Sequence, residues 1–238
     1  GGPRMRQNKL DCFIPMEEFQ VMGFSDVVRA FPRLSKHFFS IRNAILDKNP
    51  DAVLLIDYPG FNLRLAASLR KNGYKGKLIH YICPSVWAHG KSRISTLANH
   101  YDLLLTIFPF EASYFSATEL KVQYVGNPLI ETISLHEYQN NWMDDIGIPK
   151  DKDLIALFPG SRLGEIQKHV PQQLLVAEQL KKKYPHLHFA LSCAHDELYQ
   201  PLLQLVTESP LKLGEDLHIT PPQSHYDLMR NCQTALAK

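Results

Sequence analysis

The sequence predicts an α/β protein built as two tandem domains, each formed around a parallel β-sheet. Short, unbroken apolar runs such as 52–56 and 154–158 alternate with longer amphipathic stretches. Such runs are typical of parallel strands that are buried on both faces. The alternation stops once, over the polar residues 129–152, and then begins again. These observations indicate two Rossmann-like units in succession.

The composition excludes several classes of protein. The chain has 238 residues, of which 45% are hydrophobic and 21% charged, which is ordinary for a globular protein. Its formal net charge of +2 gives no bulk attraction to nucleic acid, so no nucleic-acid partner is expected. The cysteines form no CxxC pair, which argues against a zinc site and favours a reducing compartment. No apolar run approaches the roughly 20 residues that span a bilayer.

The first half of the chain divides into a long helical stretch followed by alternating strands and helices. Residues 24–48 are predicted to be helical with a break at Pro32, and this stretch is basic and rich in phenylalanine. It suits an anionic membrane surface, and it equally suits a helical hairpin packed on the sheet. Strands are predicted at 52–56, 77–82, 103–107 and 122–125. Helices are predicted between them at 63–72, 92–99 and 108–117.

The second half repeats the alternation. Strands are predicted at 154–158, 188–192, 217–219 and 234–237, and helices at 165–183, 198–207 and 226–231. We therefore predict an N-terminal domain over 1–135, a linker over 136–152 and a C-terminal domain over 153–238. Since the chain starts without Met and stops inside a predicted strand, we expect both domains to be incomplete.

Asp57 is the first candidate functional residue. It follows the apolar run 52–56 directly, and Tyr58-Pro59-Gly60 then turns the chain into a helix. In open α/β sheets, ligands bind beyond the carboxyl ends of the strands. A carboxylate there is a candidate general base, and it is also a candidate cap for the turn or the next helix.

A glycine turn between the first strand and helix of the second domain is the other candidate. Gly160 lets the backbone approach a phosphate closely, Ser161 adds a hydroxyl, and Arg162 adds a bidentate donor. The following helix start supplies free N–H groups for an anion. A plain turn with a solvated arginine is the alternative. A base in one domain and a diphosphate loop in the other is the arrangement that a sugar-nucleotide transferase needs.

The chain also resembles a known family through short segments that occur in the same order. These segments are Gly2–Met5, Val21–Gly23, Ile56–Asn62, Tyr81–Ala88, Phe108–Glu111, Tyr124–Pro128 and Leu157–Glu165. Together they resemble lipid-A-disaccharide synthase, a GT-B glycosyltransferase of Gram-negative bacteria. The resemblance implies that both domains are Rossmann-like units of the GT-B type.

The resemblance implies a reaction and a set of site residues. The family joins UDP-2,3-diacylglucosamine to 2,3-diacylglucosamine 1-phosphate with inversion, and it releases UDP without a metal or cofactor. Asp57 falls on the proposed general base, and Ser85, Trp87 and Asn127 fall on substrate-binding positions. The implied nucleotide-binding residues are Gly160, Ser161, Arg162, Glu165 and Gln223. The family is peripheral at the cytoplasmic face of the inner membrane, so an anionic membrane surface is an expected partner.

This sequence departs from the family pattern at two positions. His89 stands where the family usually has a second tryptophan, and we interpret it as a surface or packing residue. Asn127 stands where the family usually has histidine, and its carboxamide cannot act as an acid. The family's Gly-Glu-Ala-Ser-Gly-Asp loop and its ribose-binding acid are absent from these 238 residues, so we expect the isolated chain to be inactive.

Two other functions fit the same two-domain plan. A UDP-sugar epimerase needs an acid and base facing the anomeric carbon, and no paired carboxylates suggest one. A non-catalytic nucleotide-binding protein would use Arg162 without a reaction at Asp57. The scattered histidines have no metal-ligand spacing, and His186 and His188 are interpreted as structural.

Overall fold

A computed structural model describes residues 1–19, 24–88, 90–149 and 151–238. The resemblance at Val21–Gly23 and the interpretation of His89 therefore fall outside the described residues. Contacts divide the chain into two compact units, Gly1–Ile130 and Glu131–Lys238. The division into 1–135, a linker and 153–238 stays a prediction. Within the predicted linker, Trp142 and Ile148 are buried in a core of the second unit.

The first unit contains a four-stranded parallel sheet, as the alternating pattern predicted. Helix α1 (Pro3–Gln7) is short, and α2 (Phe24–Lys48) is long. The elements that follow are β1 (Ala52–Ile56), α3 (Pro59–Lys71), β2 (Lys77–Tyr81), α4 (Ser92–His100), β3 (Leu103–Thr106), a 3-10 helix at Pro109–Phe115 and β4 (Lys121–Tyr124). Helix α5 (Pro128–Ser134) contains the boundary between the two units. The strand order is β1-β2-β3-β4. All pairs are parallel, so the loops that follow the strands lie at one edge of the sheet.

The core of the first unit packs α3 and α4 against one face of this sheet. Leu65, Leu69, Leu78, Leu97 and Leu104 are each at most 1% exposed. Their burial follows from the apolar strand residues and from leucines at helical spacing along α3. The core positions the strand ends, and hence the loops that carry the candidate site.

The prediction that β1 is buried on both faces is wrong. Leu55 is 7% exposed, but its neighbours Leu54 and Ile56 are 52% and 39% exposed. Successive strand residues point to opposite faces, and β1 lies at the edge of the described sheet. The face that carries Leu54 and Ile56 is left uncovered at β1 by the described residues.

The predicted break of the long helix at Pro32 is also wrong, because α2 runs through this proline. Proline removes one backbone hydrogen bond and crowds the preceding turn. Phe38, Ile41 and Ile45 pack against the core of the first unit and hold the following turns in place. Packing of one helix face therefore outweighs the local penalty.

The second unit contains another four-stranded parallel sheet. Its elements are α6 (Trp142–Asp145), β5 (Asp153–Phe158), α7 (Leu163–Lys183), β6 (Leu187–Ser192), α8 (Tyr199–Thr207), β7 (Leu217–Thr220), α9 (His225–Asn231) and β8 (Thr234–Ala237). The strand order is β7-β6-β5-β8, and every pair is parallel. All residues of β6 are buried, as expected for a central parallel strand covered on both faces. The fold class predicted from the sequence, α/β with two parallel sheets, is confirmed.

Candidate functional site

Asp57 lies directly after β1 at the carboxyl edge of the first sheet. Its side chain is exposed, and no described residue forms a hydrogen bond or ion pair with its carboxylate. Its N–H donates to the carbonyl of Tyr81 at 2.8 Å, at the end of the neighbouring strand β2. Its backbone is left-handed, with a φ of 47°, and Tyr58 follows with a φ of 44°. The carboxylate is accessible and can accept a proton from a bound molecule.

Ser85 and Trp87 lie in the loop after β2, next to the end of β1. Ser85 is half-buried, and Trp87 is 43% exposed. The indole meets the ring of Phe110 edge-on, with ring centroids 5.7 Å apart. Because β1 and β2 are neighbours, the structure brings Asp57 and this loop to adjacent strand ends. An exposed aromatic surface there can contact the apolar part of a ligand.

Glu111 is a buried carboxylate that sequence reasoning did not assign to the site. It is 1% exposed, and its carboxylate accepts a hydrogen bond from the N–H of Phe108 at 3.1 Å. Burial raises the pKa of Glu111, while this hydrogen bond and the indole of Trp87 act in the opposite direction. An acid three residues after a helix start is a capping pattern, and this signal was present in Phe108–Glu111.

Asn127 lies after β4, at the opposite end of the strand order from Asp57. Its side-chain oxygen accepts a hydrogen bond from the N–H of Leu129 at 3.0 Å. This contact caps the start of α5, a common use of asparagine. β2 and β3 lie between β1 and β4, so the structure does not place Asn127 beside Asp57.

The loop between β5 and α7 contains Gly160, Ser161 and Arg162. Gly160 has a φ of 116°, and a Cβ at this position would collide with the carboxylate of Glu165. The side chain of Arg162 is 63% exposed and bonds Glu165 at 3.0 Å. The loop leads into the N-terminus of a 21-residue helix, which is favourable for anion binding.

The carboxylate of Glu165 accepts the hydrogen bonds that this loop would offer to an anion. It accepts a hydrogen bond from the N–H of Ser161 at 3.0 Å, and it pairs with Arg162 and Lys238. The Lys238 ammonium, helped by the Ser161 N–H and Arg162, lowers the pKa of Glu165 to about 2. The carboxylate therefore holds the loop in shape, and a bound anion would have to share or take over these donors.

Gln223 lies in a 3-10 helix over Pro222–Ser224, after the edge strand β7. Its side chain is exposed. A surface depression beside it is lined by His195, Asp196, Glu197 and Pro222. In the strand order, β6 separates β7 from β5, so Gln223 and the Gly160 loop lie two strands apart on one sheet edge.

Neither a metal cluster nor a membrane-spanning helix is found in the described part of the chain. Over residues 1–19, 24–88, 90–149 and 151–238, no group of three His, Cys, Asp or Glu side chains is placed to hold a metal ion. No helix within these ranges has both the length and the apolar character needed to cross a bilayer.

Solved structures show the class of protein to which this fold corresponds. The chain is similar to a UDP-GlcNAc 2-epimerase from Neisseria meningitidis bound to UDP-GlcNAc, with a TM-score of 0.59, 12% identity and coverage of 98% of this chain and 65% of that one. It is also similar to S. aureus MnaA in a co-structure with UDP, with a TM-score of 0.57, 15% identity and coverage of 86% and 56%. At these identities the likeness defines an α/β fold with two parallel sheets.

The family follows from sequence comparison. The model of the lipid-A-disaccharide synthetase family matches residues 1–238. The chain is 40% identical, over its whole length, to a lipid-A-disaccharide synthase of Chlamydia trachomatis serovar D, and 32% identical, over 99% of its length, to one of Geobacter sulfurreducens. The chain belongs to the lipid-A-disaccharide synthetase family.

The chain spans only part of these relatives. It covers 39% of the Chlamydia trachomatis protein and 60% of the Geobacter sulfurreducens protein.

Proposed function

We propose that the protein containing this chain is an inverting glycosyltransferase of lipid A synthesis. It joins UDP-2,3-diacylglucosamine to 2,3-diacylglucosamine 1-phosphate and yields a β-1,6-linked disaccharide 1-phosphate and UDP. The observation that carries the proposal is the match of all 238 residues to the lipid-A-disaccharide synthetase family. An accessible carboxylate after β1 and a glycine loop before α7 support it, because the reaction needs a base and a diphosphate site.

Asp57 is proposed as the general base. Its carboxylate removes the proton from the acceptor 6-hydroxyl as that oxygen forms the new bond to the anomeric carbon. The exposure of Asp57 supports this role, because the acceptor hydroxyl must come within hydrogen-bonding distance of it. Ser85 and Trp87, on the adjacent loop, are proposed to contact the acceptor. Asn127 is proposed to bind substrate with its amide nitrogen, since its oxygen caps α5.

The Gly160 loop is proposed to hold the leaving diphosphate. The bond from the anomeric carbon to the diphosphate breaks, and the electron pair leaves with UDP. Ser161 and Arg162 donate to the phosphate oxygens, and the N-terminus of α7 adds favourable electrostatics. Glu165 orients Arg162 and the loop, and Gln223 is proposed to contact the nucleotide at the end of β7. On this proposal the first unit binds the acceptor and the second binds the UDP-sugar.

A membrane surface is the proposed location of the enzyme. Both substrates carry acyl chains, and the family resemblance implies the cytoplasmic face of the inner membrane. Helix α2 supports this location. Phe31 and Phe39 are 64% and 47% exposed, and Arg33, Lys36 and Arg42 lie between and beside them in sequence. Basic residues with exposed aromatic groups favour an anionic interface.

The test compares Asp57→Ala and Arg162→Ala in the complete gene product that contains this sequence. For Asp57→Ala we expect kcat to fall at least about 100-fold with UDP affinity retained, since a general base contributes about 10²–10⁴-fold. For Arg162→Ala we expect the affinity for UDP to fall about tenfold or more, because a charge-assisted hydrogen bond is lost.

The matched control is Lys168→Ala, which removes an exposed positive charge from α7 outside the loop. It should leave both kcat and UDP affinity unchanged. Products are identified by mass analysis, which separates a disaccharide from an isomerised monosaccharide. Full turnover by Asp57→Ala, or an isomerised monosaccharide from the unmodified enzyme, would contradict the proposal.

A further inference from the structure

The turn that carries Asp57 has an unusual backbone. Asp57 and Tyr58 are consecutive, neither is glycine, and both have positive φ values, 47° and 44°. L-amino acids adopt this left-handed region rarely, because Cβ crowds the backbone there. Two such residues in succession persist only where the surroundings hold them. The direction of the Asp57 side chain therefore depends on whatever fixes this turn.

Asn62 makes the contacts that fix it. Its side-chain amide donates to the carbonyl of Ile56 at 3.0 Å and to the carbonyl of Asp57 at 2.6 Å. These carbonyls belong to the peptide groups immediately before and after the Asp57 Cα. Orienting both peptide planes sets φ and ψ of Asp57, and hence the direction of its Cβ. Asn62 itself is 8% exposed, so water competes little for these bonds.

A second buried contact holds Asn62. The hydroxyl of Tyr101 donates to the backbone carbonyl of Asn62 at 2.9 Å, and Tyr101 is 5% exposed. Burial raises the pKa of Tyr101, which keeps the hydroxyl protonated as a donor. The N–H of Asp57 bonds Tyr81, as described above, so the turn is tied to the neighbouring strand as well. The position of Asp57 thus rests on a connected set of hydrogen bonds, of which the Tyr101 bond is buried and the two Asn62 amide bonds are partly buried.

We propose that Asn62 is a positioning residue for Asp57, and this rests on the proposed role of Asp57 as the general base. Asn62 touches no reacting atom in this role. It is not an ordinary helix cap, because its amide donates backwards to the strand end instead of accepting from the helix N–H groups. Its function is to hold the left-handed turn that aims the carboxylate out of the sheet edge.

The experiment measures turnover of Asn62→Ala in the complete gene product. Small displacements of a catalytic group cost up to about 100-fold in rate, so we expect kcat to fall about 10- to 100-fold. KM for the UDP-sugar should stay within about twofold, because Asn62 belongs to the first unit and is not among the residues proposed to contact the diphosphate. In an Asp57→Ala background, Asn62→Ala should cause no further loss, since both act through one carboxylate.

Asn72→Ala is the matched control. Asn72, near the other end of α3, also donates its side-chain amide to a backbone carbonyl, that of Ser68 at 2.8 Å. Its substitution should leave kcat unchanged. If Asn62→Ala does not fold, Asn62→Ser, which keeps one donor, and Tyr101→Phe, which removes the buried bond to Asn62, take its place. Both are expected to lower kcat with KM unchanged.

The outcomes separate this inference from the proposed function. Full turnover by Asp57→Ala overturns the role of the base and the positioning role with it. Loss of turnover by Asp57→Ala together with wild-type kcat in the Asn62 variants overturns the positioning role alone. An additional loss from Asn62→Ala in the Asp57→Ala background also overturns it, because Asn62 would then act by another route.

Discussion

Gly160 and Gly164 lie four residues apart but in very different surroundings. Gly160 has a φ of 116°, and a Cβ there would collide with Glu165, the residue that holds the loop. Gly164 lies in the first turn of α7, and a Cβ there would have nothing within 4 Å. The first glycine is required by backbone geometry, while the second occupies an ordinary helical position.

Alanine substitution at these two glycines should have opposite effects. We expect Gly160→Ala to lower the free energy of unfolding by about 1–3 kcal/mol, because alanine is strained at positive φ. It should also weaken UDP binding, since Glu165 has to move. Gly164→Ala should raise stability by about 0.4–1 kcal/mol through the unfolded state. Urea unfolding and titration with UDP provide the measurements, and equal effects at the two positions would contradict this account of the loop.

At the scale of elements, the sequence predicted the strands well because each is a compact apolar run. The sequence did not predict which face of strand β1 is covered, because the residues of the strand do not show what packs on Leu54 and Ile56. It placed a break at Pro32 because the local penalty is visible in the sequence, whereas packing of Phe38 and Ile41 on the core is not.

The candidate site was predictable to a similar extent. Asp57 and the Gly160 loop followed from their places after apolar runs, as ligand sites lie at those strand ends. The contacts of Asn62 were not predictable, because neither residue with positive φ, Asp57 or Tyr58, is a glycine that would mark a left-handed turn. The pairing of Glu165 with Lys238 joins residues far apart in sequence, so only the fold shows it.

Helix α2 supports a prediction about membranes. One face, with Phe38 and Ile45, packs on the core, while Phe31 and Phe39 are exposed. The guanidinium of Arg42 lies 4.9 Å from the centre of the Phe39 ring. Basic groups near an anionic surface contribute about 1 kcal/mol each, so reversing the charge at Lys36 should weaken binding about tenfold or more.

Vesicle co-sedimentation of the complete gene product measures this effect. Lys36→Glu should reduce binding to vesicles that contain phosphatidylglycerol and leave the weak binding to phosphatidylcholine unchanged. Lys71→Glu, at the exposed end of α3, is the control and should bind nearly as well as the unmodified protein. Equal losses from the two variants would show that net charge, and not α2, governs the interaction.

At the scale of the whole molecule, each unit encloses a histidine that burial keeps neutral. Burial lowers the pKa of His80 in the first unit to about 4. It does the same for His188 in the second, where His218 bonds the ring at 2.8 Å and adds to the effect. His80 is 0% exposed, and neither ring nitrogen has a hydrogen-bond partner of ordinary geometry among the described residues. The nearby backbone of Ile82 raises the pKa of His80 by less than burial lowers it. Acid should therefore weaken both units.

The direction and range of this pH dependence follow from His80. Above pH 6.5 the ring is neutral in both the folded and unfolded states, so its contribution to stability is complete. As the pH falls from 6.5 toward 4, the unfolded chain gains a proton that the folded chain does not, and the free energy of unfolding drops by up to about 3 kcal/mol. The carboxylates with lowered pKa values, such as Asp102, lose their contribution only at lower pH.

Tryptophan fluorescence can follow the two units separately, because Trp87 lies in the first unit and Trp142 in the second. In a Trp142→Phe background, urea unfolding at pH 7.5, 6.0 and 5.0 should show falling stability of the first unit. His80→Leu should flatten this slope, because leucine takes up no proton and suits a fully buried position. The half-buried His100, changed to leucine, is the control and should leave the slope unchanged. A slope that survives in His80→Leu would assign the acid sensitivity to other groups and remove His80 from this explanation.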